Sequence, residues 1–138
     1  MYGGICGKID TWHTDTIQIS NSYNIGTLIV TSGNAGGIIG SPDGNSGVSA
    51  NLKIENCYNS GIFKYTVSKA NANAYSIAKS PGTKTQIYYL NTIDARYLET
   101  ESVEIDSTRL ASTEFAEELG DLWVQSGKCY PILKWQQQ

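Results

Sequence analysis

Charge is scarce in this sequence: Asp, Glu, Lys and Arg supply 17% of its 138 residues. The ten basic residues are scattered and the formal net charge is −3, so the basic stripe that neutralises a phosphate backbone is missing and nucleic acid is not an expected partner. Long apolar runs are lacking as well. None approaches the roughly 20 residues that a helix needs to cross a bilayer, so no membrane span is expected. Met1-Tyr2-Gly3-Gly4 has neither the charged nor the apolar region of a secretory leader, and any export signal is expected to lie outside these residues. There are three cysteines, Cys6, Cys57 and Cys129. An odd number at wide spacing fits neither a disulfide framework nor a zinc site; the expectation is mostly buried free thiols, with one bridge and a leftover thiol as the alternative. Nothing in the sequence calls for a metal or a cofactor.

What is abundant is Gly (14) and Tyr (9), together with Asn, Ser and Thr. That bias favours strands and tight turns over helical bundles, so the class is mainly β. Compared with itself, the chain repeats. Gly3-Gly4-Ile5-Cys6-Gly7 returns as Gly36-Gly37-Ile38-Ile39-Gly40, and the run from Ile17 to Gly26 returns as Leu52 to Gly61. Both blocks keep their order at nearly one period, which is the signature of stacked repeats. A degraded third copy has Ala74 to Ser80 standing for Ala35 to Ser41 and Thr83 to Tyr89 standing for Leu52 to Tyr58.

Three short strands are expected per unit, at Gly36 to Gly40, Leu52 to Tyr58 and Ile62 to Val67. They suggest a triangular coil in which each strand pairs in parallel with its counterpart one period away. The expected fold is a right-handed parallel β-helix, a β-solenoid of about three coils over residues 2–34, 35–70 and 71–106. Ile17 and Ile19 should then stack on Leu52 and Ile54, Leu28 and Val30 on Phe63 and Tyr65, Asn21 on Asn56, and Asn24 on Asn59. The paired glycines suit a bend where a Cβ would clash or φ must be positive. Strict alternation leaves open whether Asn56 or Cys57 points inward, because a bulge at the corner reverses the answer.

Residues 107–138 read as a cap. Ser112 to Gly120 has the marks of a short helix, with Ser112 as N-cap, Glu114 in the first turn, Phe115 and Leu119 facing inward, and Gly120 as terminator. Leu122 to Gln125 and Cys129 to Trp135 then form a closing ribbon whose Trp-bearing tail should seal the open end of the stack.

Several residue groups invite chemistry. The only histidine, His13, lies between Asp10 and Asp15, but the spacing matches no metal or triad pattern and an exposed loop is the plainer reading. Ser41 to Gly47 resembles a calcium loop only in its turn residues, lacking the spaced acids and the bidentate glutamate. Asp43, Glu55, Asp94, Glu99, Glu101 and Glu104 are the acids that a polysaccharide-cleaving β-helix would need. They do not recur at matched positions, so an enzyme is not expected, and Glu99-Thr100-Glu101 reads as a solvated face. Tyr23, Tyr58 and Tyr89 are placed at equivalent positions as candidates for ligand binding. They form either an exposed ladder for stacking on sugar rings or an internal aromatic ladder, and the burial gained by the rings favours the internal one.

Ala35 to Gly40 and Ile54 to Gly61 resemble the GLUG-type repeats of bacterial surface proteins, whose units have the form GGIxG followed by IxNCYNxG and a short valine strand. The helix and the tail Tyr130-Pro131-Ile132-Leu133-Lys134-Trp135 are similar to the endings of such chains. The resemblance implies a β-helical, non-catalytic structural or adhesive module, secreted or at the cell surface. Its partners would be the remainder of a larger polypeptide or a host or surface glycan or protein. It also implies that Met1 opens a fragment beginning inside a coil, whose open first edge is expected to associate. A glycan-binding or polysaccharide-degrading β-helix is the alternative.

Overall fold

A computed structural model describes residues 2–10, 16–43, 52–79 and 82–138. The fold is mainly β with helices near the C-terminus, and its strands form several small sheets. In chain order they are β1 (Tyr2–Gly3), β2 (Cys6–Asp10), β3 (Ile17–Ser20), β4 (Tyr23–Asn24), β5 (Thr27–Val30), β6 (Asn34–Gly36), β7 (Ile39–Asp43), β8 (Leu52–Asn59) and β9 (Ile62–Tyr65). There follow β10 (Asn73–Tyr75), β11 (Thr83–Leu90), β12 (Val103–Ile105), α1 (Ser107–Leu110), α2 (Thr113–Leu119), β13 (Trp123–Gln125) and β14 (Pro131–Leu133).

Every pairing between repeats is parallel. One sheet runs β1-β6-β10, another β12-β11-β8-β3 with β4 also on β8, and the pairs β2-β7 and β5-β9 complete the set. Ile17 and Ile19 lie opposite Leu52 and Ile54, and Leu28 and Val30 opposite Phe63 and Tyr65, as the repeats imply. Ala35 lies between Tyr2 and Ala74. The aligned apolar side chains fill two interior clusters. One is built on Ile38, Ile39, Ile54, Cys57, Ile77 and Ile87, the other on Val30, Ala35, Phe63, Ala72 and Ala74.

A repeated kink sets which side chains reach the interior. Asn21, Asn56 and Gln86 all have positive φ, at 49°, 52° and 53°. Asparagine tolerates this left-handed conformation better than most residues. One such residue breaks the alternation, so Ile54 and Cys57 are both fully buried on the same side while Tyr58 turns to the other. The open question over Asn56 and Cys57 is therefore answered by the kink, with Cys57 inside.

The glycine pairs act through close approach. A Cβ on Gly36 would lie 1.9 Å from Ile39 O, and one on Gly37 would lie 1.9 Å from Asn59 Nδ2. Neither glycine has positive φ, so the conformational alternative falls away. The strand expected over Gly36 to Gly40 is instead two, β6 and β7, broken at Gly37-Ile38 where the chain bends around these contacts.

Asn24 and Asn59 stack as expected, Asn24 Nδ2 donating to Asn59 Oδ1 at 2.9 Å, and both are buried. Asn21, which the flanking register sets opposite Asn56, accepts Trp123 Nε1 on its Oδ1 at 3.3 Å.

The C-terminal helix forms as its capping residues dictate. Ser112 Oγ accepts the Phe115 N–H at 3.1 Å, Phe115 and Leu119 are buried, and Gly120 ends the helix at φ 113°. Asp106 caps an additional short helix, the preceding α1, by accepting the Arg109 N–H at 2.7 Å. β13 and β14 form the antiparallel ribbon, Trp123 opposite Leu133. This segment does not seal the end of the stack. Phe115, Ala116, Leu119 and Trp123 form a third cluster with Tyr58, Tyr88 and Ile105, with Tyr23 packed against it, so the segment lies along the outer side of the sheet and touches all three repeats. The expected Trp plug is absent too, since Trp135 is 77% exposed.

Candidate functional site

Tyr23 and Tyr58 do superpose, in register on β4 and β8, with ring centroids 5.2 Å apart and planes inclined by 14°. Tyr89 does not join them. The third repeat is offset from the second by one residue relative to the sequence alignment, Thr83 pairing with Lys53, so Tyr88 takes the place over Tyr58 and Tyr89 lies over Asn59. The physical reason is the kink: Gln86 has the positive φ of Asn56, and the pairing that aligns the two kinks also sets Ile87 over Cys57 in the core.

The column is enclosed along most of its length. Phe115 meets Tyr58 and Tyr88 edge-on at 5.9 Å and 5.0 Å, and Trp123 tilts against Tyr58 at 5.7 Å. Tyr58 Oη donates to Pro131 O at 2.6 Å. Tyr88 Oη donates to Glu118 Oε1 at 2.8 Å, and the same carboxylate takes two bonds from Arg109 Nη2. Burial raises both tyrosine hydroxyls above the usual phenol range, and at Tyr88 the Glu118 carboxylate adds to the effect. Tyr58 and Tyr88 therefore hold the C-terminal segment in place as neutral donors. Tyr23 alone is half-buried, and it borders a cleft beside Tyr130 and Gln136.

Of the candidate acids, only Glu99 and Glu101 are brought together among the described residues. Lys84 Nζ lies 3.3 Å from Glu99 Oε2 and 3.5 Å from Glu101 Oε2. The expectation of a solvated face fails for Glu99, whose side chain is 10% exposed against 60% for Glu101. Glu99 Oε1 accepts the Ala78 N–H. Burial pushes its carboxyl up, against the downward pull of Lys84 and the Ala78 amide. Lys84 is the register partner of Ile54 and its side chain is 5% exposed, so a lysine occupies a place that is apolar one repeat earlier, with Glu99 as its counter-ion. Tyr75 and Tyr97 stack nearby at 4.9 Å along an open cleft, and the Arg96 guanidinium covers the Tyr97 ring at 4.9 Å. No single signal in the sequence marks this grouping.

The remaining acids are dispersed. Glu55 accepts from Gln18 Nε2, Asp94 pairs with Lys69, and Glu104 accepts from Tyr89 Oη. His13 with its flanking loop and the turn after Asp43 lie outside the described residues, as does the Asp43 side chain. The cysteines are unpaired, yet only Cys57 is buried; Cys6 is half-buried and Cys129 exposed, which corrects the expectation of mostly buried thiols. Among the described residues no group of three metal-ligating side chains occurs, and no helix is long and apolar enough to cross a membrane. Comparison with protein-family models, with curated proteins and with solved structures found no match, so the chemistry of these residues is the basis for function.

Proposed function

We propose that this chain is a non-catalytic structural or adhesive module of a secreted or cell-surface bacterial protein. In this reading residues 2–34, 35–70 and 71–106 are successive windings of a right-handed parallel β-helix, and residues 107–138 are a brace along its side. The observation that carries it is the parallel register of equivalent residues in separate sheets, Ile19 on Ile54 in one and Leu28 on Phe63 in another. A rod of this kind suits display or spacing, since each winding is fixed by its neighbours. The secreted, bacterial placement rests on the GLUG-type resemblance of Ala35 to Gly40 and Ile54 to Gly61. The remainder of a larger polypeptide and a surface glycan or protein are the partners it implies.

The test uses outward-facing register partners. Gln18→Cys with Lys53→Cys, and separately Lys53→Cys with Thr83→Cys, should cross-link intramolecularly with a short bifunctional thiol reagent in a Cys6→Ala, Cys129→Ala background. Gln18→Cys with Thr83→Cys should not, because β8 lies between them. The reverse pattern would overturn the winding order. Release of reducing sugar from a panel of polysaccharides would overturn the non-catalytic part.

A further inference from the structure

Tyr23 is the terminal ring of the column just described. One face stacks on Tyr58, while Trp123 and Tyr130 approach at 5.7 Å and 6.4 Å with planes inclined by 63° and 40°. Among the described residues β4 pairs with β8 alone, and no further ring of the series covers the other face. At this point a cleft of about 660 Å³ opens between the first repeat and the β13–β14 ribbon, within the size range of small-ligand sites.

Its lining combines two aromatic rings, Tyr23 and Tyr130, with Ile132 and the amides of Gln125 and Gln136. Gln125 Nε2 donates to Leu110 O and Ser112 O, while its Oε1 is a buried acceptor with no hydrogen-bond partner among the described residues. Gln136 Oε1 accepts from Tyr23 Oη at 3.1 Å and from the Leu133 N–H at 2.9 Å, which fixes the amide and the ring together. Lys128 is the one charged side chain along the cleft among the described residues.

We propose that this cleft binds a pyranose unit of an uncharged oligosaccharide, laid with its C–H face on Tyr23 so that the sugar continues the Tyr58–Tyr23 stack. A flat apolar face suits the ring, and hydroxyls, each both donor and acceptor, match side-chain amides that are also both. A proline-rich peptide also stacks on tyrosine, but it carries no donors on its prolines and leaves the Gln125 Oε1 acceptor unmet. The site names the ligand for the adhesive role proposed above, and in that sense it rests on that reading.

The experiment titrates the full chain with cello-, chito- and manno-oligosaccharides and with a proline-rich peptide, following side-chain signals by NMR. One of the sugars should give saturable shifts at Tyr23, Tyr130 and Gln136. Tyr130→Ala should weaken that binding by about three- to tenfold, the worth of one aromatic contact. Tyr97→Ala, at the other cleft, should leave it unchanged. Gln136→Ala serves as a second loss-of-binding variant if Tyr130→Ala does not fold. Absence of saturable shifts with every sugar, binding of the peptide instead, or full affinity in folded Tyr130→Ala would overturn the site. If the register cross-links form while no sugar binds, the site fails and the module stands; if the cross-links fail, the module reading fails first.

Discussion

Asn59→Ala should cost this chain a large share of its stability. Asn59 is fully buried, and its amide is used on both sides. Oδ1 accepts Asn24 Nδ2 at 2.9 Å and the Gly61 N–H at 3.0 Å, and Nδ2 donates to Ser76 O at 2.7 Å. Alanine deletes all three bonds and leaves the Asn24 amide, the Gly61 N–H and the Ser76 carbonyl short of a partner. A buried polar group without its partner costs about 1–3 kcal/mol. Three linked losses do not add fully, so the expected total is about 3–5 kcal/mol. At about 3–5 °C per kcal/mol for a domain of this size, Tm should fall by about 10–20 °C. Urea unfolding followed by circular dichroism measures it. Asn24→Ala removes the bond the two amides share, so the double variant should lose about 1 kcal/mol less than the sum of the singles. A loss under about 0.5 kcal/mol for Asn59→Ala, the level of an ordinary surface substitution, would refute the reasoning, as would strict additivity.

Three further outcomes are expected. Burial pushes the Cys57 thiol up to about 12 from an ordinary 9.0; the folded chain keeps a proton that the unfolded chain gives up, so this contribution is intact below pH 9.0 and is lost as pH rises towards 12. The alkaline decline in stability should therefore be shallower in Cys57→Ala, and an unchanged slope would count against it. Trp123→Ala should cost about 3–5 kcal/mol, since the ring is 3% exposed against the tyrosine column, whereas Trp135→Ala should fall within about 0.5 kcal/mol of the parent; equal losses in chemical unfolding would mean that the tail, not the ribbon, anchors the segment. Lys84→Met leaves the buried Glu99 carboxylate without its counter-ion and should cost about 3–5 kcal/mol, most of it recovered when Glu99→Gln is added. A single variant as stable as the double would show that the pair is not coupled.

The regular parts of this structure were legible because they depend on nearest neighbours in a repeating pattern. Ile17 on Leu52 and Leu28 on Phe63 follow from alternation and period alone, and the helix from Ser112 to Gly120 follows from its capping residues. Where the backbone leaves the strand conformation, alternation loses its force. One left-handed residue at Asn56 reverses the sides of Cys57 and Tyr58, and the same kink at Gln86 moves the third ring from Tyr89 to Tyr88. The placement of the C-terminal segment was hidden for another reason. Its apolar face pairs with a surface contributed by three separate repeats, Tyr23, Tyr58 and Tyr88, and no local pattern announces that Tyr58 and Tyr88 of this column are covered by the chain's own C-terminal segment.

The glycine pair, expected to mark a bend, and the asparagines, expected to stack on one another, are two halves of one contact. A Cβ on Gly37 would meet the Asn59 amide nitrogen at 1.9 Å, and a Cβ on Gly4, its counterpart in the first repeat, would meet Asn24 Cγ at 2.6 Å, so each buried amide occupies room that only glycine leaves. The third repeat bears out the dependence. Tyr89 stands where Asn59 stood one repeat earlier, Tyr75 stands over Gly36, and the next residue along, Ser76, follows in the place of Gly37. Once the amide is gone nothing forbids a Cβ opposite it, and once the Cβ is present the amide cannot return without a clash. Reverting either position alone is therefore expected to destabilise, which is why the two motifs are kept together in the second repeat and lost together in the third.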